Sequence, residues 1–118
     1  MCVDMSQVLA SKKCKPCEGG ADPLKADVAA QMLDELHEDW TLDVERGQIS
    51  RLFQFPSYAR TIAFANAVAW VATNEGHHPE MVVKYGSCHV AYRTTAIDGL
   101  SENDFICAAK IDLLIADS

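Results

Sequence analysis

The sequence predicts an α+β fold: a four-stranded antiparallel sheet made of two hairpins, with helices packed on one face, in the order α-β-β-α-β-β-α. Three observations carry this. Two pairs of short strand-like segments, the first pair alternating apolar and polar, are each joined by turn residues, which makes them hairpins. Longer stretches repeat their apolar residues at helical spacing, and the strand pairs fall between these helices instead of alternating with them one by one. A single domain is expected over 22–118, preceded by an extended leader over 1–21.

Asp22-Pro23 is the first helix signal, because Asp can accept from free amides and Pro suits the first helical position. Leu24, Val28, Met32, Leu33 and Leu36 then predict a helix over 23–37. Trp40 to Val44 alternates with period two, Glu45-Arg46-Gly47-Gln48 supplies a turn, and Ile49 to Phe55 alternates again. Pro56-Ser57 ends that strand, and Ser57 can cap a helix from Tyr58 to about Asn74. Between Ala63 and Ala72 every residue except Asn66 is apolar. A helix apolar all round must be covered on more than one side, and self-association is the expected cover, with burial under the other helices as the alternative.

Glu75-Gly76 ends the long helix. Met81 to Tyr85 and Cys88 to Thr94 read as strands joined by Gly86-Ser87, with Gly first as a type II′ turn requires. The last helix starts at Ser101-Glu102-Asn103-Asp104, whose first and fourth residues match a capping box. Phe105, Ala108, Ala109, Ile111 and Ile115 carry it toward the C-terminus with an apolar side.

Composition bounds the function. The 118 residues are 49% hydrophobic, and 17 acidic side chains against 10 basic ones leave a net charge of −7. That balance argues against a direct nucleic-acid partner, which would want clustered Lys or Arg. The longest nearly uninterrupted apolar run, Thr61 to Ala72, falls short of the roughly 20 residues a bilayer span needs, so no membrane role is expected. Met1 to Ala10 lacks the basic start and long apolar core of a secretory signal, and a cytoplasmic location is expected. Five cysteines without an export signal favour reduced thiols. Cys14-Lys15-Pro16-Cys17 is one C-x-x-C pair with no second pair to complete a zinc tetrahedron, and it reads as a solvent-facing turn.

His77-His78-Pro79 sets two imidazoles side by side after a helix end. On an extended backbone they point to opposite sides, so one can face a pocket while the other orients it or grips a ligand. Imidazole titrates near about 6.5, which suits proton transfer at neutral pH. The alternatives are an exposed polar pair, or a cation that stabilises the helix end.

His77-His78-Pro79-Glu80, Tyr85 with five residues between it and Pro79, Gly99-Leu100-Ser101, and Asp104-Phe105 opening the last helix resemble the pterin-4a-carbinolamine dehydratases. The leader Cys14 to Gly20, Trp40, Phe53 and Phe55 support the resemblance, which runs from about Cys14 to Ile115. It implies removal of water from a 4a-hydroxytetrahydropterin to give the quinonoid dihydropterin, as in tetrahydrobiopterin recycling. It further implies histidine acid/base catalysis, a small-molecule pterin as partner, no metal and no organic cofactor, and a homodimer or homotetramer.

Carried over by position, the resemblance assigns proton transfer at the 4a-hydroxyl to His77 and gripping of the pterin to His78. Pro79 joins the substrate-binding set, and Asp104 is either catalytic or a helix cap. Two positions depart from the family pattern. Thr73 stands where a charged residue is usual, and Thr95 stands where a third histidine is expected. Thr95 can hydrogen-bond a substrate but cannot exchange protons near pH 7. Glu75 is a candidate to compensate for Thr73. His89 reads as structural or interfacial, and His37 as a cation at the end of the first helix. The resemblance also carries an alternative: a non-catalytic protein on the same scaffold, acting as a dimerisation cofactor for a transcription factor or as an assembly factor for a carbon-fixing enzyme.

Overall fold

Alternating side chains build the sheet. The computed structural model describes residues 5–15 and 22–115. Strands β1 (Thr41–Asp43), β2 (Gln48–Gln54), β3 (Glu80–Lys84) and β4 (Ser87–Tyr92) form one antiparallel sheet in the order β1-β2-β4-β3. Pairing sets Ile49 opposite Tyr92, Arg51 opposite Val90 and Phe53 opposite Cys88, and all six are buried. Side chains alternate between the two faces of a strand, so this face meets the helices. Leu52 and Val82, both paired with His89, are exposed on the other.

Helices α1 (Met5–Ala10), α2 (Ala26–Leu33), α3 (Tyr58–Glu75) and α4 (Glu102–Leu113) complete the fold. From α2 onward the order is the expected α-β-β-α-β-β-α; α1 is an addition. Residues 5–10 were expected within an extended leader and instead form a helix that packs on α4. The reason lies in α4, whose residues Asn103 to Ala109 are all buried rather than apolar on one side. Leu9 of α1 is buried against it, and Lys110 Nζ donates to Ala10 O at 2.6 Å. Residues 16–21, with Cys17, lie outside the described residues.

Three local expectations are corrected. The first helix spans only Ala26–Leu33, not 23–37, with Lys25 as its N-cap. Leu24 N donates to Leu100 O at 2.8 Å, which holds 23–25 extended, so Pro23 is not the first helical residue. Because α2 ends at Leu33, His37 is not at a helix C-terminus. Its Nδ1 accepts from Asp39 N at 3.0 Å.

The loop of the second hairpin is Tyr85-Gly86, since Lys84 pairs with Ser87. Neither loop residue has positive φ, so the turn is not type II′. Position 86 is instead tightly packed: a Cβ there would lie 3.1 Å from Phe55 O, and Phe55 N donates to Gly86 O at 2.9 Å.

Helix α3 begins as expected, Ser57 Oγ accepting from Arg60 N at 3.2 Å. Phe64 on its inner side packs on Phe53 and Phe55 with ring centroids 4.5 and 5.0 Å apart. Its outer side is open: Trp70 is 70% exposed, and Ala63 and Ala69 are exposed near it. No helix among the described residues is long and apolar enough to cross a membrane.

Candidate active site

The end of α3 aims the first imidazole. Gly76, at φ +65°, takes the left-handed conformation that glycine adopts without a Cβ clash. Gly76 N donates to Thr73 O and His77 N to Ala72 O, the paired bonds of a Schellman cap. The chain therefore turns sharply, and His77 lands beside the start of α4.

There His77 Nε2 lies 2.6 Å from Asp104 Oδ1. Asp104 is fully buried, and the side chain of His77 is 13% exposed. The second carboxylate oxygen is held from two sides: Thr94 Oγ1 donates to Asp104 Oδ2 at 2.8 Å, and Ser101 N at 2.9 Å. The capping box read from Ser101 and Asp104 is present. Asp104 is therefore both a helix cap and the histidine's partner.

Below the imidazole, the Tyr92 ring stacks with centroids 5.2 Å apart and planes 19° apart. Tyr92 Oη donates to His77 O at 3.3 Å. Burial pushes the Tyr92 phenol well above its usual range, so it remains a neutral donor. Burial on its own would lower the pKa of His77, but the hydrogen bond and charge of Asp104 outweigh it and hold His77 above the ordinary imidazole value. With Nε2 engaged by Asp104, Nδ1 is the ring nitrogen left for a second partner.

The pair opens onto a cleft of about 530 Å³. His77, His78, Thr94 and Thr95 line it from the ends of α3 and β4, with Cys14, Lys15, Glu75, Arg93 and Asn103 around them. His78 is exposed. Thr95 opens a short 3₁₀ turn (Thr95–Ile97) and is likewise exposed to the cleft. The loop that carries it is closed by Thr94 N donating to Gly99 O at 2.7 Å and by the Arg93–Asp98 ion pair. Pro79 is not part of the lining.

Glu75 faces the cleft, but Oε1 accepts from Cys14 N at 2.9 Å and Oε2 lies 3.8 Å from Lys110 Nζ. His89 sits on β4 with the side-chain parity of the open sheet face, away from this cleft. A larger groove of about 720 Å³, lined by Arg51, Phe55, Arg60, Ala63 and Leu114, holds no histidine. Its buried cation, Arg51, is already bonded to Asp112 at 2.7 Å. Of these two, the smaller cleft is the one equipped for proton chemistry.

Thr94 is a neighbour of the pair that residue reading did not single out, whereas Ser101 was read only as a helix cap. Thr94 stands next to Thr95 in the sequence, but only the loop closure at Gly99 shows that Thr94, not Thr95, reaches Asp104.

The family described as "Pterin 4 alpha carbinolamine dehydratase" matches residues 22–114. The chain belongs to that family. A curated relative from Nitrosomonas eutropha, named "Putative pterin-4-alpha-carbinolamine dehydratase", is 56% identical over 107 residues, covering 91% of this chain and 93% of the relative. One of the same name from Legionella pneumophila (strain Lens) is 43% identical, covering 96% and 100%.

Among solved structures, the transcriptional coactivator/pterin dehydratase from Brucella melitensis superposes with a TM-score of 0.74 at 26% identity, covering 79% of this chain and 98% of that one. A pterin dehydratase-like protein identified as a RuBisCO assembly factor in the alpha-carboxysome gives 0.59 at 25% identity, covering 70% and 95%. As a pterin 4 alpha carbinolamine dehydratase family member, the chain has its family-matched segment spanning all the elements that form the cleft except the Cys14-Lys15 edge.

Proposed function

We propose that the protein is a dehydratase acting on 4a-hydroxytetrahydropterins, with His77 as the proton-transfer residue. The observation that carries this reading is the 2.6 Å contact of His77 Nε2 with buried Asp104 at the wall of the cleft. Hydroxide is a poor leaving group, so the C4a–O bond breaks readily only when the departing oxygen takes up a proton. A protonated His77, sustained by Asp104, supplies that proton through Nδ1. The ring nitrogen of the substrate gives its own proton to solvent as the new C=N bond forms, His77 regains a proton from solvent, and the products are water and the quinonoid dihydropterin. Exposed His78 grips and orients the bicyclic ring, and Thr95 offers a hydroxyl to hydrogen-bond it. Asp104 acts through His77, as a positioning residue.

The test follows dehydration of chemically prepared 4a-hydroxytetrahydropterin. The intact protein is expected to accelerate it over buffer. A rate equal to buffer would overturn the reading.

A second reading is favoured by Thr95, which replaces an expected imidazole with a group that does not titrate near neutrality. On that reading the scaffold is a non-catalytic dimerisation or assembly protein; of the two structural relatives, one is described as a RuBisCO assembly factor and the other as a transcriptional coactivator as well as a pterin dehydratase. Stoichiometric capture of one protein partner, with no affinity for pterin, would support it.

Both readings include self-association. The exposed outer side of α3, with Trp70 at its centre, is the surface that a second copy would cover. Light scattering is expected to give a mass of at least two chains at micromolar concentration, and a mass near 12.9 kDa would contradict this.

A further inference from the structure

Cys14, in the C-x-x-C motif, is expected in a solvent-facing turn. In the fold, Cys14 Sγ instead lies 3.5 Å from Cys107 Sγ, a residue 93 positions away in the middle of α4. The two thiols are free, Cys14 half-buried at the cleft wall and Cys107 fully buried. Cys14 is held where it is: its N donates to Glu75 Oε1 at 2.9 Å, and its Sγ lies 3.7 Å from Asn103 O. The next residue is clamped as well, Lys15 N donating to Asn103 Oδ1 at 2.9 Å and Asn103 Nδ2 to Lys15 O at 2.6 Å. The proton chemistry proposed above uses neither sulfur.

We propose that Cys14 and Cys107 are a redox pair, which a hydroperoxide converts to a disulfide that staples the segment after α1 to α4 at the wall of the cleft. The oxidant enters by the cleft and meets Cys14 first. Cys14 Sγ takes one peroxide oxygen, the O–O bond breaks, and Cys14 sulfenic acid and an alcohol (water, from hydrogen peroxide) result. Cys107 Sγ then attacks the Cys14 sulfur, the S–O bond breaks, and the departing hydroxide takes up the Cys107 proton as water. Two thiols and one hydroperoxide thus give one disulfide, one alcohol and one water. A disulfide bond is about 2.0 Å long, so the sulfurs must close by about 1.5 Å, within the reach of side-chain rotation.

The ionisation of the pair favours the second step and slows the first. The hydrogen bond from Cys14 holds the Cys107 thiol below its usual range, which makes Cys107 the better attacking sulfur in the second step. The same contact with Cys107, with burial, holds the Cys14 thiol up, so the first step is slow and answers to sustained oxidant.

The test uses the full chain with Cys2→Ser and Cys17→Ser, so that the tryptic peptide from the leader carries Cys14 alone. After treatment with hydrogen peroxide, alkylation under denaturing conditions and digestion, the Cys14 and Cys107 peptides are expected as one cross-linked species, which dithiothreitol separates. Closing so long a loop is expected to raise Tm by about 5 °C or more, reversibly. Full alkylation of Cys107 after oxidation, or Cys14 joined to Cys88 or to a second chain, would overturn the proposal. Cys107→Ala is expected to remove the cross-link; should that variant fail to fold, Cys14→Ser, at the half-buried partner, serves the same end. The readout is covalent, so its outcome is independent of whether the protein dehydrates pterins.

Discussion

Replacing His77 with alanine is expected to lower the dehydration rate by about 10² to 10⁴-fold, the usual contribution of a positioned general acid or base. The loss should fall on kcat, because His77 is assigned to the step in which the C4a–O bond breaks. His78→Ala removes a group assigned to gripping the ring and should act mainly on KM. His89→Ala, on the open sheet face, is the control and should leave the rate unchanged. Since Asp104 raises the pKa of His77, the acid form of His77 persists to higher pH than for a free imidazole, and the rate with intact protein should fall only as pH rises through that raised value. An unchanged rate in His77→Ala would remove the assignment, whatever the fate of the fold.

Asp104→Ala is expected to have the largest effect on stability of any single change near the cleft. It leaves the Thr94 hydroxyl, the Ser101 amide and His77 Nε2 without their shared acceptor in a fully buried spot. Breaking a buried charged pair in this way costs about 3–5 kcal/mol. Asp104→Asn keeps the volume and one acceptor, so it should cost less than Asp104→Ala and isolate the role of charge. The folded pKa of His77 is raised, so the native state binds more protons than the unfolded chain between the two values. The contribution of the pair is therefore full below the unfolded value of about 6.5 and is lost as pH rises through the folded one. Urea unfolding at pH 5.5 and 8.5 should show intact protein losing more stability than Asp104→Asn across that window. Equal losses would mean that the pair is not coupled through charge.

The parts of this fold that were legible are those governed by short-range rules. Period-two alternation located β1 and β2 and the turn between them located β3 and β4, with ends displaced by a residue or two, and Ser57, Gly76 and the Ser101–Asp104 box marked helix boundaries where the structure has them. What escaped depends on distant neighbours. Helix α2 reads longer than it is because nothing local shows Leu24 bonding to Leu100. Helix α1 was invisible because its reason is the buried outer side of α4, although the run Phe105 to Ala109, apolar throughout, was a usable sign that α4 needed covering.

The same division runs through the cleft. His77 and His78 stood out as a motif, and Asp104 as a cap, but the contact between them joins α3 to α4 across 27 residues. Thr94 went unnoticed because two adjacent threonines offer no sign of which one faces inward. Cys14 read as part of a solvent-facing turn and is found half-buried against Cys107 instead.

Histidine resonances offer the most direct test that this cleft, and not another surface, receives the ring system. An unreactive dihydropterin titrated into the protein, followed by NMR of the four imidazoles, should shift His77 and His78 together with one saturation curve and leave His37 and His89 in place. Shifts confined to His89 or His37, or none at pterin concentrations that saturate an acknowledged family enzyme, would contradict the account.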